Sequence, residues 1–485
     1  MLCKDFAYRG LINYFEKISA IPRPSFHEER IADYLCAFAE ERGLEYYRDE
    51  IHNVFIKLPA SEGREGEDAV LLQGHTDMVC EKNSDVEHDF LNEGIKLLEK
   101  DGWLRADGTT LGADNGVAVA AMLYILDGAE GNLPSHPPIE CLFTVSEEVG
   151  LEGATGFDYS RVSATRMINM DSADESEIIA GCAGGVRSTL SFTPAYIAAP
   201  TGAKTLTLSI GGLAGGHSGE DINKGRANAN KLLGRILLSV SRDVDLALVS
   251  VSGGSKDNAI PREAYAIITV PAEAREEIEK LVEEYRDLFN EEYKVTENPI
   301  IFTCEEVEAP EMLIPEEIQD DLINAVTACP NGVFRMIPAI PDTVETSMNL
   351  SIVEANAEEI SIKCLLRSSV DSKKYELAEM VESVFTLAGA KVEFSGSYSG
   401  WNPNLDSKIL KAMSETYEQL YGEKPAVKVI HAGLECGILG AIEPGLDMVS
   451  YGPTIRHPHS PDEKVNIPSV AKFWDFTVAT LANIK

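Results

Sequence analysis

Apolar residues recur at helical spacing in the opening stretch, at Phe6, Leu11, Ile12, Phe15 and Ile18, and the Ile21-Pro-Arg-Pro24 segment then breaks that helix. Ser25 and Glu28 stand in capping-box register, so a second helix is expected from Glu28 to about Arg42, closed by Gly43. Short apolar runs follow at Asn53 to Leu58, Ala69 to Leu72, Ile139 to Val145 and Met167 to Met170, and they read as buried strands. Between them, the apolar stretch Val117 to Leu126 follows a glycine-punctuated loop and reads as a helix. Strands alternating with helices predict an α/β fold.

The pattern changes after Gly181-Cys-Ala-Gly-Gly185, a candidate hinge. Thr205 to Ile210 alternates as a half-exposed strand does, and a helix is expected from about Arg226 to Val240. Ala264 to Val270 reads as a strand and Ala272 to Phe289 as a charged amphipathic helix. Strands near Glu345 to Ile352 and Ile360 to Leu366 and a helix from Lys374 to Leu387 repeat the scheme, so this lobe is expected to be internally duplicated. The first style returns with a helix at Asp406 to Tyr421, strands at Ala426 to Ile430 and Met448 to Tyr451, and a closing helix at Val465 to Thr480. The expected architecture is one α/β domain, residues 1–185 and 399–485, interrupted by an inserted α/β lid at 186–398.

Composition narrows the partners. At 485 residues the chain exceeds one ordinary core, and 44% hydrophobic with 25% charged residues is typical of a soluble protein. The 79 acidic against 42 basic side chains give a formal charge of -37, which repels phosphate backbones and anionic lipid. Neither nucleic acid nor membrane is therefore an expected partner. With no signal-like N-terminus, no spanning apolar run and nine scattered cysteines lacking a Cys-x-x-Cys pair, a cytoplasmic protein is expected. Cys80 and Cys436 lie near polar stretches, but buried structural thiols are the ordinary reading.

Polar groups gather at the predicted strand ends. The run Val70-Leu-Leu-Gln-Gly-His-Thr-Asp77 would deliver His75 and Asp77 on one face, with Thr76 on the other. Asp114 precedes the apolar helix, Glu147 and Glu148 follow the strand beginning at Ile139, and Asp171 follows Met170. A late histidine, from the His457-Pro-His459 pair, completes the set. Each has a bland alternative, such as a satisfied core histidine, an N-cap aspartate or an exposed acidic turn. Together, at the carboxyl ends of strands in an α/β sheet, they look like one site. Nitrogen and carboxylate donors without cysteine suit Zn²⁺, with Mn²⁺ or Co²⁺ as alternatives. With one bridging carboxylate, five ligands suffice for two metals about 3.5–4 Å apart, and a free glutamate could serve as general base in amide hydrolysis.

The ordered segments Gly74-His-Thr-Asp-Met-Val79, Gly112-Ala-Asp-Asn-Gly116, Val145-Ser-Glu-Glu-Val-Gly150, Asn169-Met-Asp171, Gly215-Gly-His-Ser-Gly219 and His459-Ser-Pro-Asp-Glu463 resemble those of the M20 family of di-zinc peptidases and deacylases. Ile21-Pro-Arg-Pro-Ser25, Gly254-Ser-Lys-Asp-Asn-Ala-Ile-Pro-Arg262 and His459-Ser-Pro-Asp-Glu-Lys-Val465 are similar to its bacterial aminoacyl-histidine dipeptidases.

The resemblance implies two Zn²⁺ per chain, one held by His75 and Asp171, the other by Glu148 and His459, with Asp114 as the bridge. It makes Asp77 the partner that orients His75, Glu147 the general base and acid, and His217 a group that stabilises the oxyanion. Asn258 and Arg367 would hold the substrate's terminal carboxylate, while a surface salt bridge is the alternative for Arg367. His431 and Glu435 receive no role. A cis peptide between Asp114 and Asn115 is also implied. The implied activity is hydrolysis of dipeptides with C-terminal histidine, including β-alanyl-histidine, and the implied assembly is a homodimer, although a duplicated lid could supply His217 within one chain. The same metal site serves tripeptidases, carboxypeptidases and N-acyl amino acid deacylases. A metal- or peptide-binding protein without turnover is the rival from another class, and the presence of Asp77 and Glu147 weighs against it.

Overall fold

The structure, a computed structural model, describes residues 2, 3, 6–128, 133, 135–199, 202–356 and 358–484. The chain divides into two units, the first made of residues 1–182, 401–429 and 434–485, the second of 183–400 and 430–433.

The first unit is built on an eight-stranded sheet in the order Glu45–Arg48, Val54–Leu58, Ile139–Thr144, Val70–His75, Arg166–Asn169, Asp447–Ser450, Glu177–Cys182 and Ala426–Ile430. The four strands from Ile139–Thr144 to Asp447–Ser450 run parallel to one another. Every residue of Val70–His75 and Ile139–Thr144 is buried, as expected of central parallel strands covered on both faces. The helix Ala113–Asp127 is apolar all round and buried from Asn115 to Leu126, so it is a core helix rather than an amphipathic cover. It begins earlier than its apolar run, and its first turn carries Asp114, whose peptide bond to Asn115 is cis.

The strand expected to deliver His75 runs Val70–His75, continuing through Gln73 and Gly74, and Asp77 lies beyond its end. Its buried polar position is satisfied because Asn169 Nδ2 donates to Gln73 Oε1 at 2.6 Å, while Gln73 Nε2 donates to Thr144 Oγ1 at 3.1 Å. One expectation needs correction: the predicted capping box is absent. The second helix, Glu29–Arg42, has no side-chain cap, because both capping candidates are engaged elsewhere. Ser25 Oγ donates to Asp77 Oδ2 at 2.7 Å, and Glu28 accepts the Ser146 backbone N–H at 2.8 Å and its hydroxyl at 2.9 Å.

The second unit contains a nine-stranded antiparallel sheet. Its main path runs Ile301–Glu306, Lys204–Gly211, Ala264–Val270, Ala247–Gly253, Val344–Ala355, Ile360–Ser368, Gly184–Ser191 and Lys391–Tyr398. The first four strands, with helices Ala229–Asp243 and Arg275–Glu292, and the last four, with Glu316–Ala328 and Asp371–Leu387, repeat one order of elements. The halves meet where Val251 pairs with Ala355. They are not in tandem, since Gly184–Ser191 of one half precedes the whole of the other. Residues 430–433 join this unit because the Ala183 N–H lies 3.1 Å from both the Ile430 and Ala432 carbonyl oxygens.

Candidate metal centre

The carboxyl ends of three parallel strands and the first turn of the core helix converge in the first unit. His75 ends its strand, Glu147 and Glu148 follow Ile139–Thr144, Asp171 follows Arg166–Asn169, and Asp114 enters from Ala113–Asp127. His75 Nε2 lies 3.1 Å from Asp114 Oδ1 and 3.6 Å from Asp171 Oδ1. His459 Nε2 lies 3.1 Å from Glu148 Oε2 and 3.5 Å from Asp114 Oδ2. Three groups of potential donor atoms, each within 4.8 Å, result: His75, Asp114 and Asp171; Asp114, Glu148 and His459; and His75, Glu147 and Glu148. Asp114 belongs to the first two, offering a different oxygen to each histidine. His457 is exposed and belongs to none of these groups.

This donor set fits a divalent cation. Four carboxylates crowd two imidazoles, and the buried Glu148 Oε1 has no hydrogen-bond partner among the described residues. Hydrogen bonds to Asp114 and Glu148 push His459 up to about 11, and burial pushes Asp171 up to about 7 despite the neighbouring His75. Burial opposes ionisation of Asp114, but hydrogen bonds from His459 and His75 prevail and hold its carboxyl well below the usual range. Burial drives Glu147 well above the ordinary carboxylate range, opposed by His75 and reinforced by Asp171, Glu148 and Glu435. The carboxylates are thus shifted in opposite directions, Asp114 down and Asp171 and Glu147 up.

Asp77 ties the cluster together. Fully buried, its Oδ1 lies 3.3 Å from His75 Nδ1 and accepts the Glu147 N–H at 3.0 Å, while Oδ2 accepts the Glu148 N–H at 3.3 Å. One carboxylate therefore stands beside the histidine ring and fixes the backbone of both glutamates. Behind it, Glu435 is buried and pushed up to about 7 by burial, accepting hydrogen bonds from Thr144 at 2.9 Å and from Gln73. Cys80 and Cys436 are free thiols whose pKa values burial raises, Cys80 to about 11, so neither has the character of a nucleophile.

The second unit gathers another polar group. Arg367 is only 5% exposed, which excludes a surface salt bridge, and its Nη1 donates to the Tyr398 hydroxyl at 3.1 Å. Burial and the Arg367 charge lower the pKa of His217, and the same two causes, with His217 itself, push His431 down to about 3. His431 Nε2 lies 2.6 Å from Ser347 Oγ. His217 occupies a two-residue strand, Gly216–His217, paired with Ala259–Ile260, and Asp221 accepts its backbone N–H at 2.7 Å. Asn258 is exposed, and its carbonyl accepts the Ser218 N–H at 2.9 Å. His217, Arg367 and His431 thus influence one another electrostatically, whereas Asn258 enters through its backbone.

Residues 53–199 match the model described as peptidase family M28, and residues 208–297 match the peptidase dimerisation domain of M20 proteins. Over 474 residues the chain is 41% identical to the cytosol non-specific dipeptidase of Escherichia coli (strain K12), covering 98% of this chain and 97% of that protein. The chain belongs to the M20 family. The crystal structure of aminoacylhistidine dipeptidase from Vibrio alginolyticus matches this M20 chain with a TM-score of 0.92 at 44% identity, over 99% of this chain and 97% of that one. Aminopeptidase PepT from Bacillus cereus ATCC 10987 matches with a TM-score of 0.56 at 16% identity over 99% of both chains, which speaks for the fold alone. The M20 protein is accordingly a metal-dependent peptidase. Among its described residues no helix is long and apolar enough to cross a membrane.

Proposed function

We infer that this M20 peptidase hydrolyses dipeptides, preferentially those with C-terminal histidine and including β-alanyl-histidine, with two Zn²⁺ ions per chain. The reading rests above all on the Asp114 carboxylate, whose two oxygens face separate histidines. His75 and Asp171 are assigned to one metal, Glu148 and His459 to the other, and Asp114 to both. When bound, the metals would lower the pKa of water and polarise the scissile carbonyl.

The chain's own residues do the remaining work. Asp77 holds His75 in its ligating orientation. Glu147 is assigned to accept the water's proton and pass it to the departing amine, its backbone fixed by the hydrogen bond to Asp77. His217 is assigned to the developing oxyanion, where a neutral imidazole can donate a hydrogen bond. Arg367 and Asn258 are assigned to the substrate's terminal carboxylate; Arg367 Nε, without a partner among the described residues, leaves donor capacity for it.

The preference for histidine is supported by the name of the Vibrio alginolyticus relative, while the Escherichia coli relative is named non-specific. A cytoplasmic location accords with the cytosolic name of the latter, and a homodimer with the dimerisation-domain match. The deciding experiment measures product release from β-alanyl-histidine, other dipeptides, a tripeptide and an N-acetyl amino acid, with zinc-loaded and chelated protein. Chelator-sensitive cleavage favouring the histidine dipeptides is expected. Cleavage of the tripeptide or the acetylated amino acid alone would replace the dipeptidase assignment by one of the other M20 activities.

A further inference from the structure

Two charged side chains that supply no donor to the candidate metal centre are nonetheless buried beside it. Arg23 and Glu463 are each 2% exposed. A buried ion is costly unless its hydrogen-bonding capacity is met; both oxygens of Glu463 and both Nη atoms of Arg23 find backbone partners, while Arg23 Nε has none among the described residues. Arg23 Nη1 donates to the carbonyl oxygens of Thr76 at 2.9 Å and Asp77 at 3.1 Å, and Nη2 donates to that of Gly112 at 2.6 Å. Glu463 Oε2 accepts the N–H groups of Leu111 at 2.7 Å and Gly112 at 2.9 Å, while Oε1 accepts those of Ala113 at 2.8 Å and Asp114 at 3.3 Å.

The placement of these bonds is specific. Gly112 is gripped on both sides, its N–H by Glu463 and its carbonyl by Arg23, two positions before Asp114. Arg23 also holds the peptides immediately after His75, and Glu463 stands on the same short segment as His459. Three stretches of chain that carry His75, Asp114 and His459 are therefore joined through one guanidinium and one carboxylate, which also attract each other electrostatically. The space for this junction is provided by glycine. A Cβ at Gly112 would lie 2.5 Å from Arg23 Nη2, one at Gly116 would lie 2.7 Å from it, and Gly112 adopts φ +66°.

We propose that Arg23 and Glu463 are positioning residues that set the bridging carboxylate of Asp114 between its two histidines by holding the backbone of residues 111–114 that leads into it. The proposal rests on the dinuclear reading above. A carboxylate shared by two metals must meet both within a few tenths of an ångström, so loosening its peptide should weaken one metal more than the other. Glu463→Gln turns an acceptor of four N–H groups into a group with only one acceptor oxygen. Arg23→Lys keeps the charge but loses the planar fork that spans Gly112 and the Thr76–Asp77 carbonyls.

The test is a Co²⁺ titration of the metal-free full-length chain, followed by visible absorption and calorimetry, in the wild type, Arg23→Lys, Glu463→Gln and Glu463→Asp, with far-UV circular dichroism to establish folding. Expected are two equivalents bound by the wild type, and in folded Arg23→Lys and Glu463→Gln a loss of about 10- to 100-fold in affinity for one equivalent, an altered Co²⁺ spectrum, and a fall in kcat exceeding any rise in KM. Glu463→Asp, which keeps both acceptor oxygens, should recover part of the loss. Unchanged affinities and spectra in the folded variants overturn the positioning role, and so does failure of all three variants to fold, which would make the pair a folding element. Fewer than two equivalents in the wild type instead overturns the dinuclear premise, so the two failures are read separately.

Discussion

The candidate metal centre and the His217, Arg367 and His431 group solve the placement of polar side chains in opposite ways. In the first unit His75, Glu147, Glu148 and Asp171 stand at or just after the ends of buried parallel strands, and Asp77 binds the backbone of the neighbouring glutamates directly. In the second unit His217 stands on a two-residue strand inside a glycine-rich loop, while Arg367 stands on the strand Ile360–Ser368 and donates to the Tyr398 hydroxyl. Rigid placement suits groups that must share metal ions within narrow distance limits. Placement on a loop suits groups that meet substrates of varying shape, so metal binding and proton transfer are expected to reside in the first unit, and recognition of the substrate, with the oxyanion contact of His217, in the second.

The sharpest way to break this division is Glu147→Gln. It should lower kcat by about 10²- to 10⁴-fold while leaving metal content and KM nearly unchanged. A variant that turns over peptide like the wild type would remove the general-base assignment. Arg367→Met tests the other side. It should raise KM and lower kcat/KM by about 10- to 100-fold, the loss of a charge-assisted hydrogen bond, with little effect on metal content. The loss should shrink for a dipeptide amide, which has no terminal carboxylate; an equal loss for acid and amide would deny Arg367 that partner.

A smaller effect at neutral pH separates the two regions by acid stability. His431 is held at about 3 in the folded chain against an unfolded value near 6.5. Between these values the unfolded state binds a proton that the folded state refuses, so stability falls as pH drops from about 6.5 towards 3, by at most about 1.4 kcal/mol per pH unit. Above 6.5 the contribution of this group to the pH dependence vanishes. His431→Gln should flatten that slope in denaturant unfolding measured across the window, and an unchanged slope would place the acid sensitivity elsewhere.

Much of the fold was legible because period and punctuation agreed. Ala264–Val270 and Ala426–Ile430 are the strands their patterns predict, and the second helix ends at Arg42 before Gly43, which is left-handed. The strand expected over Val70 to Asp77 runs as far as His75. The pattern failed at Ser25 and Glu28, whose spacing satisfies a local rule but whose side chains pair with Asp77 and Ser146, far away in sequence. The donor residues themselves stood out because carboxylates and histidine at the ends of apolar strands are conspicuous. Arg23 and Glu463 did not, since their partners are backbone groups and carry no side-chain signature. The Pro-Arg-Pro flanks of Arg23 and the place of Glu463 four positions after His459 were the available hints.

The interleaved order of the second unit bears on how the protein is made. The strands Lys204–Gly211, Ala247–Gly253, Ala264–Val270 and Ile301–Glu306 pair with one another, so this half can close as soon as it leaves the ribosome. Gly184–Ser191, synthesised earlier, must wait for Ile360–Ser368 and Lys391–Tyr398, and Arg166–Asn169 must wait for Asp447–Ser450. Such distant pairings make folding slow relative to local ones. The oldest part of the nascent chain, which carries His75, Asp114, Glu148 and Asp171, is therefore the last to be completed, and His459 arrives only with its final segment.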